Sequence, residues 1–106
     1  KAGVTAMTRA LSREWGRLKV NVNAVAFGLI LTRMTSADAK AGATVNIEGK
    51  DIRVGISPEL LKTHAQRCPL GRAGTTQEAA DAVYLFCSPE SNYITGQTVA
   101  VAGGPQ

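Results

Sequence analysis

Residues 19–27 read KVNVNAVAF, and this stretch decides the fold. Valine alternates with asparagine over residues 20–23, and the pattern then becomes wholly apolar. Such a run is typical of a strand that enters a parallel sheet covered on both faces. Gly28 breaks the pattern, and residues 29–32 are predicted to follow as an extended exit.

A helix is predicted on the amino-terminal side of this strand. Apolar residues recur at spacings of three and four over residues 2–15, and Gly16 stops the pattern. One face carries an arginine at every fourth position, and the opposite face is apolar. The arginines are Arg9, Arg13 and Arg17, and the apolar residues are Val4, Met7, Leu11, Trp15 and Leu18. We therefore expect an amphipathic helix that packs through its apolar face and turns the arginines toward solvent.

A hairpin and a second helix are predicted after the strand. Residues 44–56 read TVNIEGKDIRVGI, in which apolar positions alternate on either side of a turn at residues 48–51. Ser57 precedes Pro58, a combination that favours a helix start. We expect Ser57 to be the N-cap of a helix of about ten residues that ends before Pro69.

The last third of the chain is predicted to form a helix and a strand. Residues 75–78, TTQE, match a capping box, and Ser88-Pro89 ends the helix that follows. Residues 97–102 then form a short apolar strand bounded by glycines. The order of elements is half of an alternating α/β pattern. Since two short strands cannot cover the apolar faces of both helices, further strands must come from additional chain or from another copy.

The charge balance and the apolar runs restrict the possible partners. The 106 residues include 12 Lys+Arg and 8 Asp+Glu, and residues 1–33 hold six of the basic groups and one acid. Because no aromatic or recognition motif accompanies the basic helix face, we expect no nucleic-acid partner. The longest apolar stretch, residues 24–31, is far shorter than the roughly 20 residues of a membrane span, so we expect no membrane span.

Cysteine and histidine are too sparse for a metal centre. Cys68 and Cys87 lie far apart, neither belongs to a C-x-x-C pair, and the chain has one histidine. We therefore expect no metal site and two reduced thiols in a cytoplasmic protein, with Cys87 in the core.

Five segments in this order resemble the short-chain dehydrogenase/reductase family, closest to its 3-oxoacyl-(acyl-carrier-protein) reductase branch. They are residues 1–16, 20–26, 69–72 with Glu78, 93–97 and Gly103-Gly104. The resemblance implies that residues 1–106 are the C-terminal segment of such a domain. The expected fold is α/β, the C-terminal part of a Rossmann-type doubly wound parallel sheet that is incomplete as a domain. Residues 36–68 would occupy the place of the substrate lid. The inserted hairpin either lengthens this lid for a large or unusual substrate or serves as a packing or subunit-contact element.

The resemblance also implies a cofactor site for NAD or NADP. Lys1 matches the family lysine that binds the nicotinamide ribose and lowers the pKa of a tyrosine four residues before it. That tyrosine and the Gly-rich phosphate turn belong to the upstream part of the family. The run of residues 27–32, FGLILT, matches the segment that holds the nicotinamide carboxamide, with a phenylalanine in place of the family's proline. The implied site residues are Lys1, Phe27, Gly28, Ile30 and Thr32.

Three functions are considered for this chain. By resemblance it is part of an NAD(P)-dependent oxidoreductase that reduces the carbonyl of a small 3-oxoacyl-type substrate, and it is expected to be inactive as an isolated chain. It is alternatively a non-catalytic assembly unit, a homo-oligomer or a partner of the missing N-terminal segment. A hydrolase built on Ser57 and His64 is disfavoured, because seven helical residues separate the two by roughly 10 Å along the axis.

Overall fold

A computed structural model describes residues 2–32, 44–47, 50–53 and 57–105. The described helices are α1 (Ala2–Trp15), α2 (Pro58–Arg67) and α3 (Thr76–Phe86). The described strands are β1 (Ala24–Phe27), β2 (Ile30–Leu31), β3 (Thr44–Ile47), β4 (Lys50–Arg53), β5 (Gly74–Thr75) and β6 (Thr98–Val101). The chain divides into two compact units. Unit one comprises Lys1–Phe27 and Gln77–Val101, and unit two comprises Gly28–Thr76 and Ala102–Gln106.

Unit one is built on a parallel pair of strands. β1 pairs with β6 in a register that runs from Ala24 opposite Thr98 to Phe27 opposite Val101. α1 ends at Trp15, as the glycine after it predicts, and a 3-10 turn follows. The parallel pairing confirms the predicted α/β class.

The packing of α1 differs from the prediction. Val4, Met7 and Leu18, on the face expected to be inward, are each more than half exposed. The buried side chain of α1 is instead Thr8, 6% exposed, whose hydroxyl donates to Val4 O (2.7 Å). On the next turn, Ser12 lies so close to Gly96 that a Cβ on that glycine would be 2.7 Å from its Oγ. The small polar side chains of α1 allow this close approach, whereas Val4 and Met7 remain more than half exposed.

Unit two contains a parallel pair, a hairpin and α2. β2 pairs in parallel with β5, and β3 pairs antiparallel with β4, so the predicted hairpin is confirmed. The predicted turn was too long, because Lys50 and Asp51 already pair with β3. α2 begins at Pro58 after its predicted N-cap, since Ser57 Oγ accepts the N–H of Leu60 at 3.3 Å. It ends at Arg67, before Pro69, as predicted.

Few described side chains are buried. Among the described residues, Cys68 is the one buried hydrophobic side chain, at 4% exposure. Cys87 is exposed, so its predicted place in the core was wrong. The residue lies just beyond the end of α3. Of the helices in the described ranges, none is both long enough and apolar enough to cross a bilayer.

Candidate functional site

The carboxyl end of β1 carries the first predicted site residue. Phe27 is the last residue of β1, and its side chain is 48% exposed. Gly28 follows and is also exposed. Ligands of open α/β sheets bind beyond the carboxyl ends of the strands, where backbone groups and loops face the ligand. Phe27 and Gly28 therefore occupy positions suited to contact a ligand.

Ile30 and Thr32 belong to unit two. Ile30 pairs with Gly74 in the β2–β5 register, and the N–H of Gly74 donates to Leu29 O at 3.0 Å. A Cβ on Gly74 would be 2.8 Å from Ile30 Cδ1, so the glycine makes this close approach possible. Both Ile30 and Thr32 are half-buried. The backbone of residues 29–31 is therefore fixed by its pairing with β5.

Two predicted features fall partly or wholly outside the described residues. Lys1, the expected ribose-binding cation, lies outside them, as do residues 36–43, 48–49 and 54–56 of the expected lid and hairpin. The described lid residues are those of β3, β4 and α2 with its N-cap, together with Cys68.

Asn21 and Asn23 were predicted to alternate with valines along a strand. They lie before β1 instead, and their side chains bind a distant loop. Asn21 Nδ2 donates to Asn92 O at 2.9 Å, and Asn23 Nδ2 donates to Ile94 O at 2.9 Å. The N–H of Val22 donates to Thr95 Oγ1 at 3.0 Å. We call the side chains of Asn21, Asn23 and Thr95 the amide clamp.

The amide clamp sets the register of β1 against β6. Asn23 Oδ1 accepts the N–H of Gln97 at 3.1 Å, so one side chain holds two points of the loop. The N–H of Gly96 donates to Val22 O at 2.7 Å, and the N–H of Ala24 donates to Gln97 O at 2.8 Å. Because these bonds immediately precede the first paired residues of both strands, they position the whole of β1, including Phe27 at its far end. The alternation of asparagine with valine over residues 20–23 was the sequence feature from which these hydrogen bonds could have been suspected.

A second unpredicted feature holds the chain after β6, within unit two. The thiol of Cys68 lies 3.4 Å from Gly103 O and 3.5 Å from both Ala102 O and Arg72 O. The N–H of Leu70 donates to Gly103 O at 3.1 Å. Gly103 and Gly104 have φ of 77° and 114°, and Cβ atoms on them would run into Cys68 Sγ and Pro69 respectively. We call Cys68, Pro69, Leu70, Gly103 and Gly104 the glycine joint.

The remaining candidate chemistry is weak. The hydroxyl of Ser57 serves as the cap of α2, and His64, two turns along the same helix, accepts the N–H of Cys68 through its backbone carbonyl at 2.8 Å. Within the described ranges, no three His, Cys, Asp or Glu side chains form a group that could hold a metal ion.

Comparison with known proteins places the chain in a family. The family model described as enoyl-(acyl carrier protein) reductase matches residues 1–106. Galactitol 2-dehydrogenase (L-tagatose-forming) of Cereibacter sphaeroides is 36% identical over 104 residues, which cover 98% of this chain and 35% of that protein.

Solved structures agree in fold. The 3-oxoacyl-(acyl-carrier protein) reductase of Brucella melitensis superimposes with a TM-score of 0.77 and 32% identity, over 97% of this chain and 32% of that one. A blue fluorescent protein from a metagenomic library, in complex with NADPH, gives a TM-score of 0.72 and 26% identity, over 98% and 34%. The chain thus spans about a third of the length of these proteins. With a match along its full length and the parallel β1–β6 pair, the chain belongs to the short-chain dehydrogenase/reductase family.

Proposed function

We propose that this chain is the C-terminal, nicotinamide-side part of an NAD(P)-dependent oxidoreductase that reduces the carbonyl of a small 3-oxoacyl-type substrate. The observation that carries the proposal is the exposed Phe27-Gly28 pair at the carboxyl end of a parallel strand. The full-length family match and the reductase among the solved structures support it. The reduced thiols fit a cytoplasmic setting.

Four residues of the chain would contact the bound cofactor. The nicotinamide supplies the hydride when it is bound. The exposed Gly28 has no side chain to keep a flat ring away from its backbone, and Thr32 offers a hydroxyl. The half-exposed ring of Phe27 would form an apolar wall, and the ammonium of Lys1 would hold the ribose hydroxyls. Residues 36–68 would cover the substrate.

Cofactor binding by the full chain tests this proposal. NADH and NADPH fluorescence should increase on binding, and Gly28→Val should abolish the increase because the branched side chain blocks the backbone. Gly3→Ala is the matched control, since no atom lies within 4 Å of a Cβ placed there. An unchanged signal with Gly28→Val, or no signal with either cofactor, contradicts the proposal.

Turnover is a separate question. The family's proton donor is a tyrosine four residues before the lysine that Lys1 matches. The two tyrosines of this chain, Tyr84 and Tyr93, both follow Lys1, so neither corresponds to that donor. We therefore expect no reduction of a 3-oxoacyl substrate by this chain alone. Robust oxidation of NADPH with such a substrate would contradict this expectation.

A second candidate role is assembly. Val4, Met7 and Leu18 expose most of their apolar surface along α1 and the turn after it. Burial of each such side chain is worth roughly 1.5–3 kcal/mol, so an uncovered face of this kind favours association. The partner would be a second copy or a polypeptide that carries the upstream part of the domain. Light scattering at low concentration tests self-association, and a stable monomer would contradict it.

A further inference from the structure

A depression lies in unit one at the amino end of β1, where the proposed cofactor role uses no residue. Its volume is about 670 Å³, and it is lined by Gly16, Lys19, Asn21, Asn92, Tyr93 and Thr95. Small-molecule sites typically measure about 300–1,000 Å³. Asn21, which lines the depression, lies just before β1, whereas Phe27 ends that strand, so the depression and Phe27 lie at opposite ends of β1.

One wall of the depression is an aromatic ring without a packing role. The side chain of Tyr93 is fully exposed, at 103% of its reference surface. A ring in this state offers a face on which a flat ligand can stack, and offset stacking of aromatic rings adds roughly 0.5–1.5 kcal/mol beyond area burial. Tyr93 lies between Asn92 and the clamp residues, which fix the backbone on both sides of it.

Lys19, which also lines the depression, is a cation in a strained backbone conformation. Lys19 ends the 3-10 turn Gly16–Leu18 with φ of 62°, the one positive φ at a non-glycine position among the described residues. The left-handed conformation is usual for glycine at such a cap and costs roughly 1–2 kcal/mol for other residues. A lysine here therefore lowers stability while it places an ammonium beside the depression.

Two polar side chains that line the depression are held by hydrogen bonds, and two of its amides have unused hydrogen-bonding capacity. Asn21 Nδ2 and Thr95 Oγ1 are engaged by the amide clamp, which holds these side chains in place. In the described part of the chain, Asn21 Oδ1 and the side-chain amide of Asn92 have no hydrogen-bond partner. Amide groups of this kind can pair with the donor and acceptor edge of a heteroaromatic base.

We propose that this depression binds a purine nucleoside monophosphate. The base would stack on Tyr93, the phosphate would contact the Lys19 ammonium, and the amides of Asn21 and Asn92 would meet the edge of the base. The combination of one exposed ring, one cation and two adjacent amides matches a ligand that is flat at one end and anionic at the other. The proposal is independent of the proposed reductase role.

The test is a titration of the ¹⁵N-labelled full chain with AMP, in which the chemical shifts of the backbone amides are measured. We expect saturable shifts at Gly16, Lys19, Asn92, Tyr93 and Thr95. Adenosine and inorganic phosphate are titrated separately, and each should bind at least about tenfold more weakly than AMP, which corresponds to about 1.4 kcal/mol. Equal affinity for phosphate alone would overturn the stacking component and with it the proposal.

Variants at Lys19 and Tyr93 separate the contribution of the ammonium from that of the aromatic ring. Lys19→Gly removes the ammonium but suits the left-handed backbone, so the chain should stay folded and unfold at a higher temperature, while its AMP affinity should fall about tenfold. Tyr93→Ala should weaken AMP binding, and Tyr93→Phe should retain it because the ring remains.

Arg9→Gln is the matched control, since it removes an exposed cation of α1 outside the depression. It should leave the affinity unchanged, and an equal loss in Arg9→Gln and Lys19→Gly would show that only overall charge matters, which overturns the proposal. Shifts confined to Phe27 and Gly28 would place AMP at the cofactor position and overturn it as well. The absence of any saturable shift would do the same.

Discussion

The two ends of β6 are held by different kinds of interaction. Before the strand, the amide clamp fixes residues 92–97 through hydrogen bonds between residues more than 70 positions apart in sequence. After the strand, the glycine joint brings backbone carbonyls against a buried thiol, with Gly103 and Gly104 at positive φ. The clamp depends on the chemical groups of its side chains, whereas the joint depends on the absence of side chains. Substitutions should therefore affect the two regions by different mechanisms.

The largest effect is expected at the glycine joint. Gly103→Ala places a Cβ against Cys68 Sγ in a backbone conformation that disfavours side chains, and should lower the free energy of unfolding by about 3 kcal/mol. Urea denaturation measures the loss. Gly71→Ala is the control, because its φ is 74° and nothing lies within 4 Å of the added Cβ, so strain alone should cost about 1 kcal/mol. Equal losses in the two variants would show that contact with Cys68 is unimportant.

The next effect is expected in the amide clamp. Asn23→Ala removes one donor and one acceptor, and leaves the N–H of Gln97 without its partner, so it should cost about 2 kcal/mol. Asn21→Ala removes one exposed bond and should cost about 0.5–1 kcal/mol. Denaturation of both variants in urea gives the comparison. A loss as large in Asn21→Ala as in Asn23→Ala would contradict the assignment of Asn23 as the centre of the clamp.

A smaller effect should follow from adding a side chain next to the clamp. Gly96→Ala has φ of 71° and would bring a Cβ to 2.7 Å from Ser12 Oγ, but that hydroxyl can rotate away, so the expected loss is about 1.5 kcal/mol. Thermal unfolding of Gly96→Ala and of the double variant with Ser12→Ala measures the coupling. The second substitution should restore part of the stability, and no recovery would mean that backbone strain accounts for the loss.

An effect smaller than that of Gly96→Ala should occur at the N-cap of α2, away from both regions. Ser57→Ala removes the acceptor for the N–H of Leu60 and should cost about 1 kcal/mol. Circular dichroism during urea unfolding measures it, with Ser57→Asp as a control that retains a capping oxygen. Ester hydrolysis by the wild-type chain that disappears in Ser57→Ala would contradict the interpretation of Ser57 as a cap alone.

The positions of the proposed cofactor site could be predicted from the sequence only in part. Phe27 and Gly28 stand at a strand's carboxyl end because Gly28 interrupts the apolar run, which the order of residues shows. The residues that fix that strand could not be identified in the same way. Asn21 and Asn23 have the spacing of a strand's polar face, and only their distant partners reveal that they bind the loop at 92–97.

The sequence by itself determined the local elements of this protein. The end of α1, the start of α2 at its capped proline and the β3–β4 hairpin depend on residues within a few positions of one another, so periodicity and capping rules predict them. The tertiary structure alone decided that Cys68 rather than Cys87 is buried and that α1 packs through Thr8 rather than Met7. Burial depends on which surfaces meet after the chain folds, and contacts between distant residues leave no periodic pattern in the sequence.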